Sequence, residues 1–162
     1  MASLKYRCLT GDARSYEYPV AASQYFYHNG ESFVYLDSSG HVTKAATATT
    51  TLLGWAIVPT GQGAGTSDNY WKSSATAGAD KIAVIVDPEA LFLCPADAAT
   101  TAGDAGNACD LVTVNDGTQG LVDVGTSSTD VLVIVKAGTY VEGGASTDVV
   151  VKLNPTKRQS DT

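Results

Sequence analysis

Apolar residues in this sequence come in short bursts, and glycine, aspartate, asparagine, serine or proline closes nearly every one. The runs Leu52 to Val58, Lys81 to Val86, Leu111 to Val114 and Leu132 to Lys136 are typical. A helix needs straight-chain residues recurring at a 3.6-residue period, and no run here carries that period. Alanine, threonine, serine, glycine and valine dominate instead, the texture of strands and turns. Strand–helix–strand alternation is missing as well, which argues against a parallel α/β sheet. The expected fold is therefore all-β: an antiparallel β-barrel or sandwich with two long loops and extended termini.

Its 162 residues suit one domain, large enough to bury a core without disulfides or a metal. The expected division is an N-terminal arm at residues 1–15, a single β domain at 16–154 and a mobile C-terminal tail at 155–162. Within the domain, Tyr25 to His28 and Ser32 to Leu36 flank Asn29 and Gly30, a pair suited to positive φ, so a hairpin is expected there. A second turn at Asp37 to Gly40 leads into His41 to Ala45. The alanine–threonine stretch from Ala45 to Thr51 reads as an extended edge or loop. Gly54, inside the Leu52 to Val58 strand, implies a bulge or a close backbone approach. Lys81 to Val86 is apolar on both faces and should be central and buried. The two long loops are Thr60 to Asp80, flexible in character, and Ala96 to Asp110, with room for one helical turn. Ser-Thr-Asp-Val recurs at 128–131 and 146–149 as two similar strand starts.

The net charge of −7 repels phosphate backbones, so no nucleic-acid partner is expected. No apolar run reaches 18 residues, so no membrane span is expected. Met1 to Arg7 lacks the apolar core of a signal peptide, and the expectation is a chain made and kept in a cytosol. Cys8, Cys94 and Cys109 read as free thiols, although a Cys94–Cys109 bridge stays open at this stage.

A search for chemistry returns little. His28 and His41 lie near turns and have no partner at metal-ligand or triad spacing. The glycines of Gly61 to Gly65 lack the lysine of a P-loop, the third spaced glycine of a dinucleotide fingerprint and a following helix. Asp104, Asn107 and Asp110 could converge on calcium but lack EF-hand spacing. Carboxylates such as Asp37, Asp87 and Asp116 sit in turn contexts. The chain is thus expected not to be an enzyme and to need no cofactor and no metal. Tyr70 and Trp71, two large aromatics inside a long loop, read either as anchors on a neighbouring subunit or as residues folded back onto the chain's own core. Lys152, Lys157 and Arg158 concentrate basic charge near the end of an acidic chain, suiting either a grip on an acidic neighbour or a solvated terminus.

The order of features from residue 16 to 93 resembles phage capsid decoration, or cement, proteins. The resemblance rests on Asn-Gly-Glu-Ser-Phe-Val-Tyr-Leu-Asp-Ser-Ser-Gly-His-Val-Thr-Lys-Ala at 29–45, Leu-Leu-Gly-Trp-Ala at 52–56 and Lys-Ile-Ala-Val-Ile-Val at 81–86. The endings Thr-Asp-Val-Leu-Val-Ile-Val at 129–135 and Val-Val-Val-Lys-Leu-Asn-Pro at 149–155 also look like phage structural proteins. The resemblance implies a virion protein, assembled in the host cytoplasm, that binds the capsid exterior and bridges major capsid subunits. It further implies self-association, as a homotrimer or a dimer. The gripping residues expected on this basis are Leu4, Tyr6 and Arg7 in the arm, Tyr70 and Trp71 in the loop, and Lys157 and Arg158 in the tail. The competing reading is a carbohydrate- or receptor-binding module of a tail or fibre, for which the eight tyrosines and two tryptophans would supply stacking surfaces.

Overall fold

Side-chain alternation along a few central strands feeds two separate cores, and this sets the architecture. The computed structural model describes residues 7–28, 32–59, 65–66, 70–114, 119–125, 128–137 and 148–159. These form strands β1 (Arg7–Cys8), β2 (Ser15–Pro19), β3 (Tyr25–Tyr27), β4 (Phe33–Leu36), β5 (Val42–Lys44), β6 (Gly54–Ile57) and β7 (Gly65–Thr66). They continue with β8 (Tyr70–Lys72), β9 (Lys81–Ile85), β10 (Phe92–Pro95), β11 (Ala108–Val114), β12 (Gln119–Asp123), β13 (Leu132–Lys136) and β14 (Asp148–Leu153). The chain is almost all β, in antiparallel sheets ordered β1-β10-β14-β13-β11-β12, β2-β9-β6-β4-β5 and β3-β8-β7.

The five-stranded sheet lies between two cores. Phe33, Trp55 and Ile85 leave one face and join Phe92, Cys94, Cys109, Ile134 and Val151 of the six-stranded sheet. Their neighbours Val34, Ala56, Val84 and Val86 leave the other face and join Phe26 and Trp71 of the three-stranded sheet. This is why Lys81 to Val86 reads as apolar on both faces: β9 pairs with β2 on one side and β6 on the other, with a core above and below it. The first core is centred on an aromatic trio. Trp55 stacks on Phe92 at 4.9 Å, and Phe33 meets both rings edge-on at 4.8 and 5.4 Å. Such pairs add about 0.5–1.5 kcal/mol each beyond the area they bury.

One isolated bridge, Val20 to Val42, links the two end strands of the five-stranded sheet, and another, Ala96 to Val122, links the residue after β10 to β12 across the six-stranded sheet. Neither sheet closes into a barrel, and the packed sheets are sandwich-like. Gly54 makes the close backbone approach expected of it: a Cβ there would overlap the carbonyl of Ile85 on β9.

Several expectations are corrected. β3 and β4 do not pair with each other; β3 pairs with β8, and β4 pairs with β5 and β6, because Phe26 and Phe33 belong to different cores. Asn29 and Gly30 lie outside the described residues. The β4–β5 hairpin does form, with Asp37 Oδ1 accepting the N–H groups of Ser39 and His41 at 2.8 and 2.9 Å and Gly40 at φ +78°. The stretch expected to be a flexible loop at 60–80 contains β7, β8 and a tied-down segment in which Ser74 N–H donates to Asp80 Oδ2 at 2.7 Å. In the loop at 96–110, Ala102–Asp104 forms one 3-10 turn and β11 starts at Ala108. Within Leu4 to Thr10, which the sequence offers as a leading strand or arm, Arg7–Cys8 forms β1, and Ser15 opens β2. The tail is docked through Gln159: Leu52 N–H donates to Lys157 O at 2.9 Å, and Gln159 N–H donates to Leu52 O at 2.8 Å.

Candidate interaction surfaces

The β3–β8 ladder pairs Tyr25 with Lys72, Phe26 with Trp71 and Tyr27 with Tyr70. Successive strand residues point to opposite faces. Phe26 and Trp71, 0 and 1 % exposed, therefore enter the core together, their rings 6.0 Å apart. Tyr25, Tyr27, Tyr70 and Lys72 face outward. Tyr70 sits between the other two rings, 5.4 Å from Tyr25 and 5.9 Å from Tyr27. Lys72 Nζ lies 4.9 Å from the Tyr25 centroid, and Lys44 Nζ, from β5 of the neighbouring sheet, lies 5.4 Å from that of Tyr27. Hydrogen bonding to Tyr25 raises the Lys72 pKa, so its charge is held at every physiological pH. The result is a row of three tyrosines with a cation over each outer ring, and Tyr25 is 40 % exposed.

Of the expected gripping residues, Tyr70 belongs to this surface and Trp71 does not, since the strand turns it into the chain's own core. Tyr25, Tyr27, Lys44 and Lys72 were missed. The alternation in Tyr25-Phe26-Tyr27 and Tyr70-Trp71-Lys72 was the available signal, but a loop reading of residues 60–80 hid half of it.

Arg7 lies elsewhere, opposite Leu93 on the outer face of the six-stranded sheet, and is exposed. Leu4 and Tyr6 lie outside the described residues. Lys157 and Arg158 sit on the seam that the chain's end makes with Leu52, and Arg158 Nη1 donates to the Val86 carbonyl at 3.4 Å. The expected residues that are described, Arg7, Tyr70, Trp71, Lys157 and Arg158, thus fall on three separate elements.

The titratable groups serve mainly structure. Asp110, 4 % exposed, accepts backbone N–H groups from Ser128, Thr129 and Asp130 at 2.9, 3.0 and 2.7 Å. Burial pushes its pKa up, but the N–H donors outweigh burial and hold it below the ordinary value. Asp104 accepts the Thr101 N–H at 2.7 Å and caps the 3-10 turn. Both carboxylates of the calcium reading are thereby committed to backbone, and among the described residues no group of three or more His, Cys, Asp or Glu side chains could hold a metal ion. His41 Nδ1 lies 4.0 Å from Asp37 Oδ2 within its own turn. None of the three cysteines is in a disulfide, so Cys94 and Cys109 share a core without bridging. Burial, reinforced by the nearby charge of Asp110, pushes the Cys109 pKa up to about 12. No helix among the described residues is long and apolar enough to cross a membrane. Compared with known proteins, the chain matches no family model, no curated protein and no solved structure.

Proposed function

We propose that this chain is a phage capsid decoration protein that binds the outside of the head, associates with copies of itself as a trimer or dimer, and bridges major capsid subunits. The observation that carries the reading is the outward row of Tyr25, Tyr70 and Tyr27 with Lys72 and Lys44 over its ends. Tyrosine is enriched at protein interfaces because it offers a large, stiff contact area with a polar tip. Cations held over the rings add charge recognition to that area. A clamp also needs a body that does not deform, and two cores sharing one sheet supply it.

The test is addition of purified protein to undecorated heads, followed by measurement of bound copies per head. Wild type saturates the heads, and the Tyr25→Ala/Tyr70→Ala variant, still folded, binds at least about tenfold more weakly. Equal occupancy by the two proteins would remove the tyrosine row from the reading; absence of binding by wild type to any undecorated head would remove the reading itself.

The exposure of Tyr25 also favours a second reading, a glycan-binding module of a tail or fibre, in which the same rings stack on sugars. Binding of the isolated protein to an immobilised glycan, lost in the same variant, would favour it over the first.

A further inference from the structure

Strand β2 lies at the edge of its sheet: it pairs with β9, and its other side has no strand among the described residues. The ladder continues past both of its ends, where Val86 N–H donates to Arg14 O and Val20 N–H donates to Asp80 O, each at 2.9 Å. Hydrogen-bonded pairs alternate along an antiparallel ladder. Arg14, Tyr16, Tyr18 and Val20 therefore turn their backbone groups toward β9, and Ser15, Glu17 and Pro19 turn theirs outward. Among the described residues no other backbone group meets the N–H of Ser15 or Glu17. Ser15, Tyr16 and Glu17 are all exposed, Tyr16 at 49 %. At the far end the outward side is closed, because Ala21 N–H donates to Val42 O at 2.9 Å in the bridge to β5. Pro19, just before it, has no N–H to offer. At the near end the chain turns at Gly11–Asp12. The open window runs from Ala13 to Tyr18.

We infer that this window pairs with the same window of a second copy, antiparallel, about a two-fold axis at Tyr16. A row of unpaired backbone groups is a template for another strand, and a two-fold interface uses one patch twice. The register follows from the residues. Outward-turned residues must meet outward-turned residues, so the axis falls at Ser15, Tyr16 or Glu17. An axis at Glu17 sets two like charges directly opposite each other and wastes Ser15 on Pro19. An axis at Ser15 sets Glu17 against Ala13, which lies outside the strand. An axis at Tyr16 sets Ser15 against Glu17, and the N–H of each donates to the carbonyl of the other, twice about the axis. It also makes the two Tyr16 residues a non-hydrogen-bonded pair, the kind whose side chains lie closest. Arg14 then comes beside Tyr18 of the second copy. Its guanidinium already lies 5.9 Å from the Tyr16 centroid of its own chain, and a tyrosine face attracts a cation. The inference rests on the self-association in the proposed function and gives it a surface; the tyrosine row of β3 and β8 plays no part in it.

The experiment follows sedimentation equilibrium of the full chain without heads, from about 1 μM to about 1 mM, a range that suits a small interface. Amide hydrogen exchange is read at both ends of the range. The expected result is a monomer–dimer equilibrium. The Ser15 and Glu17 amides gain protection as the dimer forms, and those of Tyr16 and Tyr18, already bonded to β9, do not change. Ser15→Lys, facing Glu17 of the second copy, is expected to tighten the dimer about fivefold, and Ser15→Glu to weaken it about fivefold. Glu17→Pro removes an outward N–H and spares the ladder to β9, so it is expected to weaken the dimer at least about tenfold with the melting temperature little changed. A chain that stays monomeric at the highest concentration, a trimer, or a dimer indifferent to both Ser15 substitutions overturns the inference. So does protection of the Ser15 and Glu17 amides that is the same at every concentration. Head occupancy reads the capsid reading separately: a dimer with these properties that binds no head removes that reading and supports the β2 pairing.

Discussion

Tyr70 and Trp71 are neighbours in β8 and face opposite ways: the Tyr70 ring lies between Tyr25 and Tyr27 on the surface, and the Trp71 ring is buried against Phe26. The relationship follows from strand geometry alone, and it separates a recognition residue from a stability residue one position apart. Trp71→Ala is expected to cost about 3–5 kcal/mol, the range for emptying a large aromatic site. Trp71→Phe is expected to cost less than the alanine change, because Trp71 Nε1 is buried with no hydrogen-bond partner among the described residues. Tyr70→Ala is expected to change stability by no more than about 1 kcal/mol. Denaturant midpoints of the three variants check all of this, and a larger loss in Tyr70→Ala than in Trp71→Ala would reverse the assignment.

Asp110 makes stability depend on acid. Its folded pKa is held below the ordinary 3.8 by the N–H groups of Asp130, Ser128 and Thr129 acting against burial. The unfolded chain therefore takes up this proton at a higher pH than the folded one. The contribution is complete above the ordinary carboxylate value and is lost as pH falls through the folded value. Melting temperatures measured from about pH 6 to pH 3 are expected to fall more steeply for wild type than for Asp110→Asn. At neutral pH the variant is expected to be less stable by about 1–3 kcal/mol, since an amide satisfies three backbone donors less well.

Gln159 closes the docked tail. Its Oε1 accepts the Leu36 N–H at 2.6 Å and its Nε2 donates to the Leu36 carbonyl at 3.0 Å, a two-way clasp across 123 positions of sequence. Gln159→Ala is expected to cost about 1–2 kcal/mol. Truncation after Asn154 should cost more, because it also removes both backbone bonds to Leu52. Chemical unfolding reports both values, and a truncated chain as stable as wild type would restore the mobile tail.

The thiols are expected to be slow. Burial raises the pKa of Cys8 and takes that of Cys109 to about 12, so little reactive thiolate exists at neutral pH. A thiol reagent added to native protein at about pH 8 is expected to modify Cys8 slowly and to leave Cys94 and Cys109 untouched. All three react once the chain is denatured without reductant. Only one reacting thiol in that denatured sample would mean a Cys94–Cys109 bridge.

The local decisions of this fold were legible in residue types. Tyr16 to Val20, Lys81 to Val86 and the Asp37 to Gly40 turn each carry their conformation in their own alternation or turn chemistry, and each appears where it was read. Gly54 likewise announced a close backbone contact. The pairings were not legible in the same way. Asn29 and Gly30 suggested that β3 should fold back on β4, yet β3 crosses to β8 because burying Phe26 against Trp71 outweighs a local turn preference.

The candidate surfaces divide along the same line. Alternation in Tyr25-Phe26-Tyr27 shows from the sequence that two tyrosines share a face. That Tyr70, Lys72 and Lys44 join them depends on three segments far apart in the chain. That Ser15 and Glu17 turn their backbone groups outward depends on β2 pairing with β9 alone. By itself the sequence determined an all-β chain with its strands and turns, since backbone preference and side-chain period act over a few residues. Which strands pair, which aromatics are buried and which charges collect on one face were decided only in the tertiary structure, because long-range burial and register set them.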